Sequence, residues 1–200
     1  MSLEALNTVG TLITVAIVAA TAIAALIQLR HLRAGNQISA MTAIDAEIMA
    51  EKFREAVVLI RERLRPAMSD PAYRAYEIAC SRDQQILDVN PAYVALRQAT
   101  LLVGNAYEHV GLLLKLGMID HDMFLDRYCS NVFNSWNRLE PLTALAREAY
   151  GSQLPWENFE YLAVLSEDWM KAHVDGSYPH GVRRMKLTNP WPIAPQAAAT

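Results

Sequence analysis

The chain has 200 residues, 52% hydrophobic and 20% charged, with 18 Lys and Arg against 21 Asp and Glu and a formal net charge of −3. That balance argues against a disordered chain and against a strongly basic nucleic-acid binder, and the length suits one domain with appendages. The two cysteines, Cys80 and Cys129, stand in unrelated segments with no CxxC spacing, so there is no disulfide framework and a reducing compartment is the simpler reading.

The first element is apolar throughout. No charged residue occurs between Glu4 and Arg30, and about 20 apolar residues suffice for a helix to cross the hydrocarbon core of a bilayer. A cleaved signal peptide expects a basic start, whereas "MSLEALN" has Glu4 and neither Lys nor Arg. A retained transmembrane helix is therefore expected within residues 1–34. Arg30 and Arg33 follow the span and set its orientation: N-terminus outside, body in the cytoplasm, a single pass through the inner membrane. Ala16, Ala20 and Ala24 place small residues at every fourth position of the span, a stripe on which helices can approach closely in lipid.

Residues 35–173 read as a helical cytoplasmic domain. "AGNQ" at 34–37 either bends the first helix or is carried through it. Over residues 38–64 the pattern is helical, with Ile38, Met41, Ile44 and Ile48 as one apolar series and Phe53, Val57, Ile60 and Leu64 as another. Arg65-Pro66 is the expected stop, because proline disfavours a helical residue before it. Two further starts share the words Asp/Asn-Pro-Ala-Tyr, with Asp70 and Asn90 as caps and Pro71 and Pro91 in first helical positions. The first of these helices should span residues 71–86. The second, 91–116, is apolar on most faces and should be central. A helix from His121 follows, with Pro141 expected to kink or restart it before Gly151 ends it. Residues 156–173 form a last amphipathic helix, burying Trp156, Phe159, Leu162, Ala163 and Trp169. The tail, 174–200, carries Pro179, Pro190, Pro192 and Pro195 and should be irregular. No period-two pattern appears, so the predicted fold is all-α: an N-terminal transmembrane helix, an antiparallel helical bundle and a Pro-rich tail.

Motifs for chemistry are scarce. There is no HExxH, no Glu-x-x-His, no GxSxG, and no glycine-rich phosphate loop, so neither a metal nor a cofactor is expected. "RERLR" at 61–65 is a short basic cluster interrupted by Glu62, better explained as a solvated helix face than as a nucleic-acid contact. "GMIDHDMFLDRYC" at 117–129 groups acids, a histidine and a cysteine. It reads as helix punctuation: Gly117 closes one helix, Ile119 is a staple residue, Asp120 is the next N-cap, and Asp122 sits in the first turn where negative charge suits the dipole. His121 should be a solvated first-turn residue and Cys129 a small core-facing one. Glu108, within "AYEHVGLLL", must be paired if buried; Arg138 and Tyr161 are the candidate partners.

These residues bear a resemblance. Gln28-Leu29-Arg30; Glu108, Gly111, Leu112 and Leu113; Gly117, Ile119 and Asp120; Trp136, Leu139 and Pro141; and residues 156–160 resemble a bacterial family of small single-span membrane proteins with a helical cytoplasmic domain of unknown function. The resemblance covers about residues 20–165 and implies no catalytic residue and no cofactor.

The functional expectation is a non-catalytic, membrane-anchored accessory or scaffold subunit of a larger membrane assembly. Its partners would be the lipid bilayer and a membrane protein or a second copy of the chain, with no nucleic acid. The alternative is a membrane-tethered ligand sensor or enzyme with a pocket around Glu108, His109, Trp136 and Tyr161. A third class, a defence or stress effector triggered at the membrane, has no residue pattern of its own here.

Overall fold

The computed structural model describes residues 3–86 and 88–191, and those residues form an all-helical fold of six helices. Pro192 and Pro195 of the tail lie outside the described residues.

Helix α1 (Leu3–Ile48) continues without a break through the "AGNQ" segment. Residues 10–36 are exposed, and this stretch is long and apolar enough for a membrane span or a signal sequence. Its threonine hydroxyls are satisfied internally: those of Thr8, Thr11, Thr14 and Thr21 each donate to the carbonyl four residues earlier, at 2.8–2.9 Å. The last turns of the same helix change character. Met41, Ile44 and Ile48 are buried in the core, while Ile38 stays exposed. Asp45 fixes this end of α1 to the bundle, accepting from the Tyr128 hydroxyl at 2.6 Å and pairing with Arg127 at 3.2 Å.

The helical pattern over 38–64 is broken at Met49-Ala50, where a turn separates α1 from α2 (Glu51–Ser69). The reason is in the spacing. Phe53 lies five positions after Ile48, and the intervening Glu51 and Lys52 would occupy the buried stripe of an unbroken helix. Pro66 does not stop α2; the helix continues one more turn, since proline so near the end deprives only one carbonyl of its partner. Helix α3 (Pro71–Ser81) is shorter than its pattern suggested, ending before Asp83, which takes a left-handed conformation at φ 54°.

Helix α4 (Pro91–Lys115) is central, burying Leu96, Ala99, Val103, Tyr107, Val110 and Leu114 and touching every other bundle helix. It ends at Gly117, φ 65°, where the Met118 N–H reaches the Leu113 carbonyl and the Gly117 N–H the Leu114 carbonyl, both at 2.9 Å. Such paired closing bonds require a left-handed residue, which glycine adopts without steric cost. Helix α5 (His121–Tyr150) contains Pro141 without interruption; the proline deprives the Asn137 carbonyl of its intrahelical partner. Helix α6 (Glu157–Ala172) packs into the angle between α4 and α5.

A chain of aromatic rings ties the layers together. Phe53 of α2 meets Tyr107 of α4 edge-on at 5.8 Å, Tyr107 stacks on Phe159 of α6 at 5.1 Å, and Trp136 of α5 meets Phe159 edge-on at 5.1 Å. Offset and T-shaped pairs of this kind add about 0.5–1.5 kcal/mol beyond their area burial.

Candidate functional site

Two polar constellations stand out from the apolar core. The first joins α4 to the start of α6. Trp156 opens α6 in a left-handed conformation, φ 53°, and its side chain does not cap the helix. Glu108 caps it from across the interface: one carboxylate oxygen accepts from the Phe159 N–H at 2.8 Å, the other from Asn158 Nδ2 at 2.7 Å. A negative charge at a helix N-terminus also suits the helix dipole. The indole N–H of Trp156 donates to Asn105 at 3.0 Å, and Arg147 of α5 holds the Pro155 carbonyl at 3.0 Å and Glu160 at 2.7 Å.

The two glycines of α4 belong to the same junction. A Cβ at Gly111 would overlap the Asn158 carbonyl, and one at Gly104 would overlap the Trp156 ring. The segments around Glu108 and around 156–160, fifty residues apart, are therefore one interlocking contact. Neither Arg138 nor Tyr161 is the partner of Glu108. Arg138 instead donates to the Asn134 carbonyl on its own helix. One of its two partners is a backbone N–H, which any residue would supply, and the other, Asn158, is brought there only by the docking of α6 on α4.

The second constellation lies between α3 and α4. Glu77 is only 3% exposed and pairs with Arg97. Its other oxygen, and the hydroxyl of the fully buried Tyr73, have no hydrogen-bond partner. Burial, and then the negative charge of Glu77, hold the Tyr73 hydroxyl far above the ordinary tyrosine range. Tyr76 is pushed up to about 12 by burial and by the neighbouring Cys80 thiol. The rings of Tyr73 and Tyr93 meet edge-on at 5.3 Å, and the Tyr93 hydroxyl donates to Asp70 at 2.5 Å, holding that carboxyl below its ordinary value. A cleft of about 440 Å³ opens here, with Glu77, Cys80, Arg97, Thr100, Glu108 and Trp156 on its walls. The signal for Glu77 was present in the sequence, since Tyr73, Glu77 and Cys80 share one helical face and put a charge on an otherwise apolar stripe.

The four residues considered as a pocket do not converge. Glu108 borders the 440 Å³ cleft, His109 lines a groove between α2 and α4, Trp136 lines a third cleft beside Arg147 and Glu160, and Tyr161 borders none of the three. Among the described residues, no group of three or more His, Cys, Asp or Glu side chains is placed to hold a metal ion.

Asp70 accepts from the Ala72 N–H, Asn90 from the Ala92 N–H and Asp120 from the Met123 N–H, each at 2.9 Å. His121 is not a free first-turn side chain. It is half-buried, and its Nε2–H donates to the Leu114 carbonyl at 3.1 Å, sealing the end of α4. Cys129 packs against the core, and burial raises its thiol pKa. Ala16, Ala20, Ala24, Arg30 and Arg33 lie on the exposed part of α1.

A family model described as a domain of unknown function, DUF4760, matches residues 15–169, from the apolar half of α1 to the last turn of α6. No curated protein and no solved structure matches the chain.

Proposed function

The chain belongs to the DUF4760 family, and from that premise we propose that it is a membrane-anchored helical domain that works by binding, as an accessory or scaffold subunit of a larger membrane assembly. The observation that carries this reading is α1. Over residues 10–36 it is exposed among the described residues, while its last turns are built into the core through Met41, Ile44, Ile48 and Asp45. An apolar surface of that extent is stable in lipid and unstable in water. The threonine bonds within the helix leave no side-chain hydroxyl there unsatisfied in hydrocarbon. Arg30 and Arg33 then favour a cytoplasmic bundle. Because one uninterrupted helix joins span and bundle, the domain is confined to the membrane surface, which raises its effective concentration for a membrane partner.

Extraction from native membranes in mild detergent tests this reading. The expected result is resistance to alkaline carbonate and a stoichiometric complex with a membrane protein or a second copy. A water-soluble chain, or a lone monomer in the native membrane, overturns it.

One observation favours a second reading, a ligand sensor: the buried Glu77 oxygen without a partner at the wall of the 440 Å³ cleft. In that case Glu77→Gln abolishes ligand-dependent thermal stabilisation while helix content is kept. If Glu77 only pairs with Arg97, the same substitution lowers the melting temperature and nothing else.

A further inference from the structure

The family match ends at residue 169 and α6 ends at Ala172, so the segment beyond needs its own explanation. After Asp175 the sequence contains no acidic residue, while Arg183, Arg184 and Lys186 supply three positive charges in a chain of net charge −3. Between and beside them stand Val182, Met185, Leu187 and Trp191, exposed at 55%, 72%, 89% and 82%. None of the three basic residues takes part in an ion pair among the described residues. Basic residues mixed with large, exposed apolar ones and a tryptophan make the composition of a segment that lies in a membrane interface.

The start of the tail is tied to the bundle close to the root of α1. Ser177 donates to Asp126 on α5, and the neighbouring Arg127 and Tyr128 bind Asp45 at the root of the membrane helix. Residues 175–184 are folded back on themselves at that point. Arg184 donates to the Asp175 carbonyl and lies 4.7 Å from the Tyr178 ring centroid, and the Tyr178 hydroxyl donates to the Arg183 carbonyl.

The distances match. Twelve helical residues from Arg33 to Asp45 raise the root about 18 Å above the basic end of the span. Residues 185–191, extended, reach about 23 Å, enough to return to the headgroup layer.

We propose that residues 182–191 form a second membrane contact, selective for anionic lipid headgroups, that holds the bundle down against the bilayer surface. This rests on α1 being a membrane span. The bonds that fold residues 175–184 back must open for Arg183 and Arg184 to reach the headgroups. Each basic residue brought near an anionic surface then strengthens attachment by roughly fivefold, so three give on the order of a hundredfold, and salt weakens the effect.

The test reconstitutes the full chain in nanodiscs of phosphatidylcholine, or of phosphatidylcholine with a third phosphatidylserine, both containing brominated lipid to quench nearby tryptophan. The expected result is strong quenching in the anionic discs that is absent from Trp191→Phe. It should fall several-fold in neutral discs, in high salt, and in the triple variant Arg183→Gln, Arg184→Gln, Lys186→Gln. If the chain inserts but the Trp191-dependent quenching is missing, or is equal in neutral and anionic discs, this proposal fails and the anchor stands. A chain that never enters the discs overturns the anchor itself, and this proposal with it.

Discussion

The two halves of α1 share a backbone and differ in everything else. Over residues 10–36 side chains on every face are exposed, and no charge interrupts the run before Arg30. From Met41 to Ile48 only one stripe is apolar and it is buried, while Asp45 binds Tyr128 and Arg127 on α5. A helix carries both because its hydrogen bonds are internal, whatever surrounds it. The surroundings are set by the side chains: apolar all round calls for lipid, and an apolar stripe calls for a protein partner.

Substitutions can break or sharpen that contrast. The largest difference is expected between two glycines. Gly111→Ala drives a methyl group into the Asn158 carbonyl at the α4–α6 junction, whereas Gly35→Ala on α1 meets nothing within 4 Å. The first should cost about 3 kcal/mol or more, because backbone must move. The second should be neutral or gain up to about 1 kcal/mol in helix propensity. Chemical denaturation in detergent, followed by tryptophan fluorescence, separates them.

Next in size is a pair of isoleucines. Ile44→Ala removes a side chain that is 4% exposed and should cost about 2–4 kcal/mol of bundle stability. Ile23→Ala, on the exposed half, should leave the bundle within about 0.5 kcal/mol of the parent. Equal effects from the two would mean that the halves are not distinct environments.

Glu108→Ala removes the cap of α6 and should cost about 1.5–3 kcal/mol, the range for hydrogen bonds to a charged group. Hydrogen exchange should rise first at the start of α6, with α1 unchanged.

The smallest effect is on acid stability. The Tyr93 hydroxyl, and then the Ala72 N–H, hold the Asp70 carboxyl below its ordinary 3.8. A depressed carboxyl pKa contributes stability above the unfolded value and loses it as pH falls through the folded one. Tyr93→Phe should therefore lower bundle stability slightly at neutral pH and flatten its decline below about pH 4, so that parent and variant converge in acid.

How far the sequence could be read follows from the range of the forces involved. Asp70-Pro71, Asn90-Pro91 and Gly117-Met118-Ile119-Asp120 are local signals, satisfied within a few residues, and the helices begin and end where such signals stand. Pro66 does not end α2 and Pro141 does not restart α5, because a single proline removes one hydrogen bond and packing along the rest of each helix outweighs that loss. The break at Met49-Ala50 was present as a five-residue gap in the apolar series but read as two series on one helix. The pairing of Glu108 with a backbone N–H fifty residues away, and of Glu77 with Arg97, depends on how helices dock, which no local pattern encodes.

The most direct measurement is accessibility along α1. Single cysteines placed from residue 11 to residue 48, in a chain with Cys80 and Cys129 replaced by alanine, would be labelled in intact membranes with a water-soluble maleimide. The expected profile is a continuous protected block through residue 29, open labelling on all faces over 34–37, and protection at 41, 44 and 48 alternating with reactive positions between. Labelling throughout residues 11–29, or a mature chain that lacks them, would contradict a retained membrane helix continuous with the bundle.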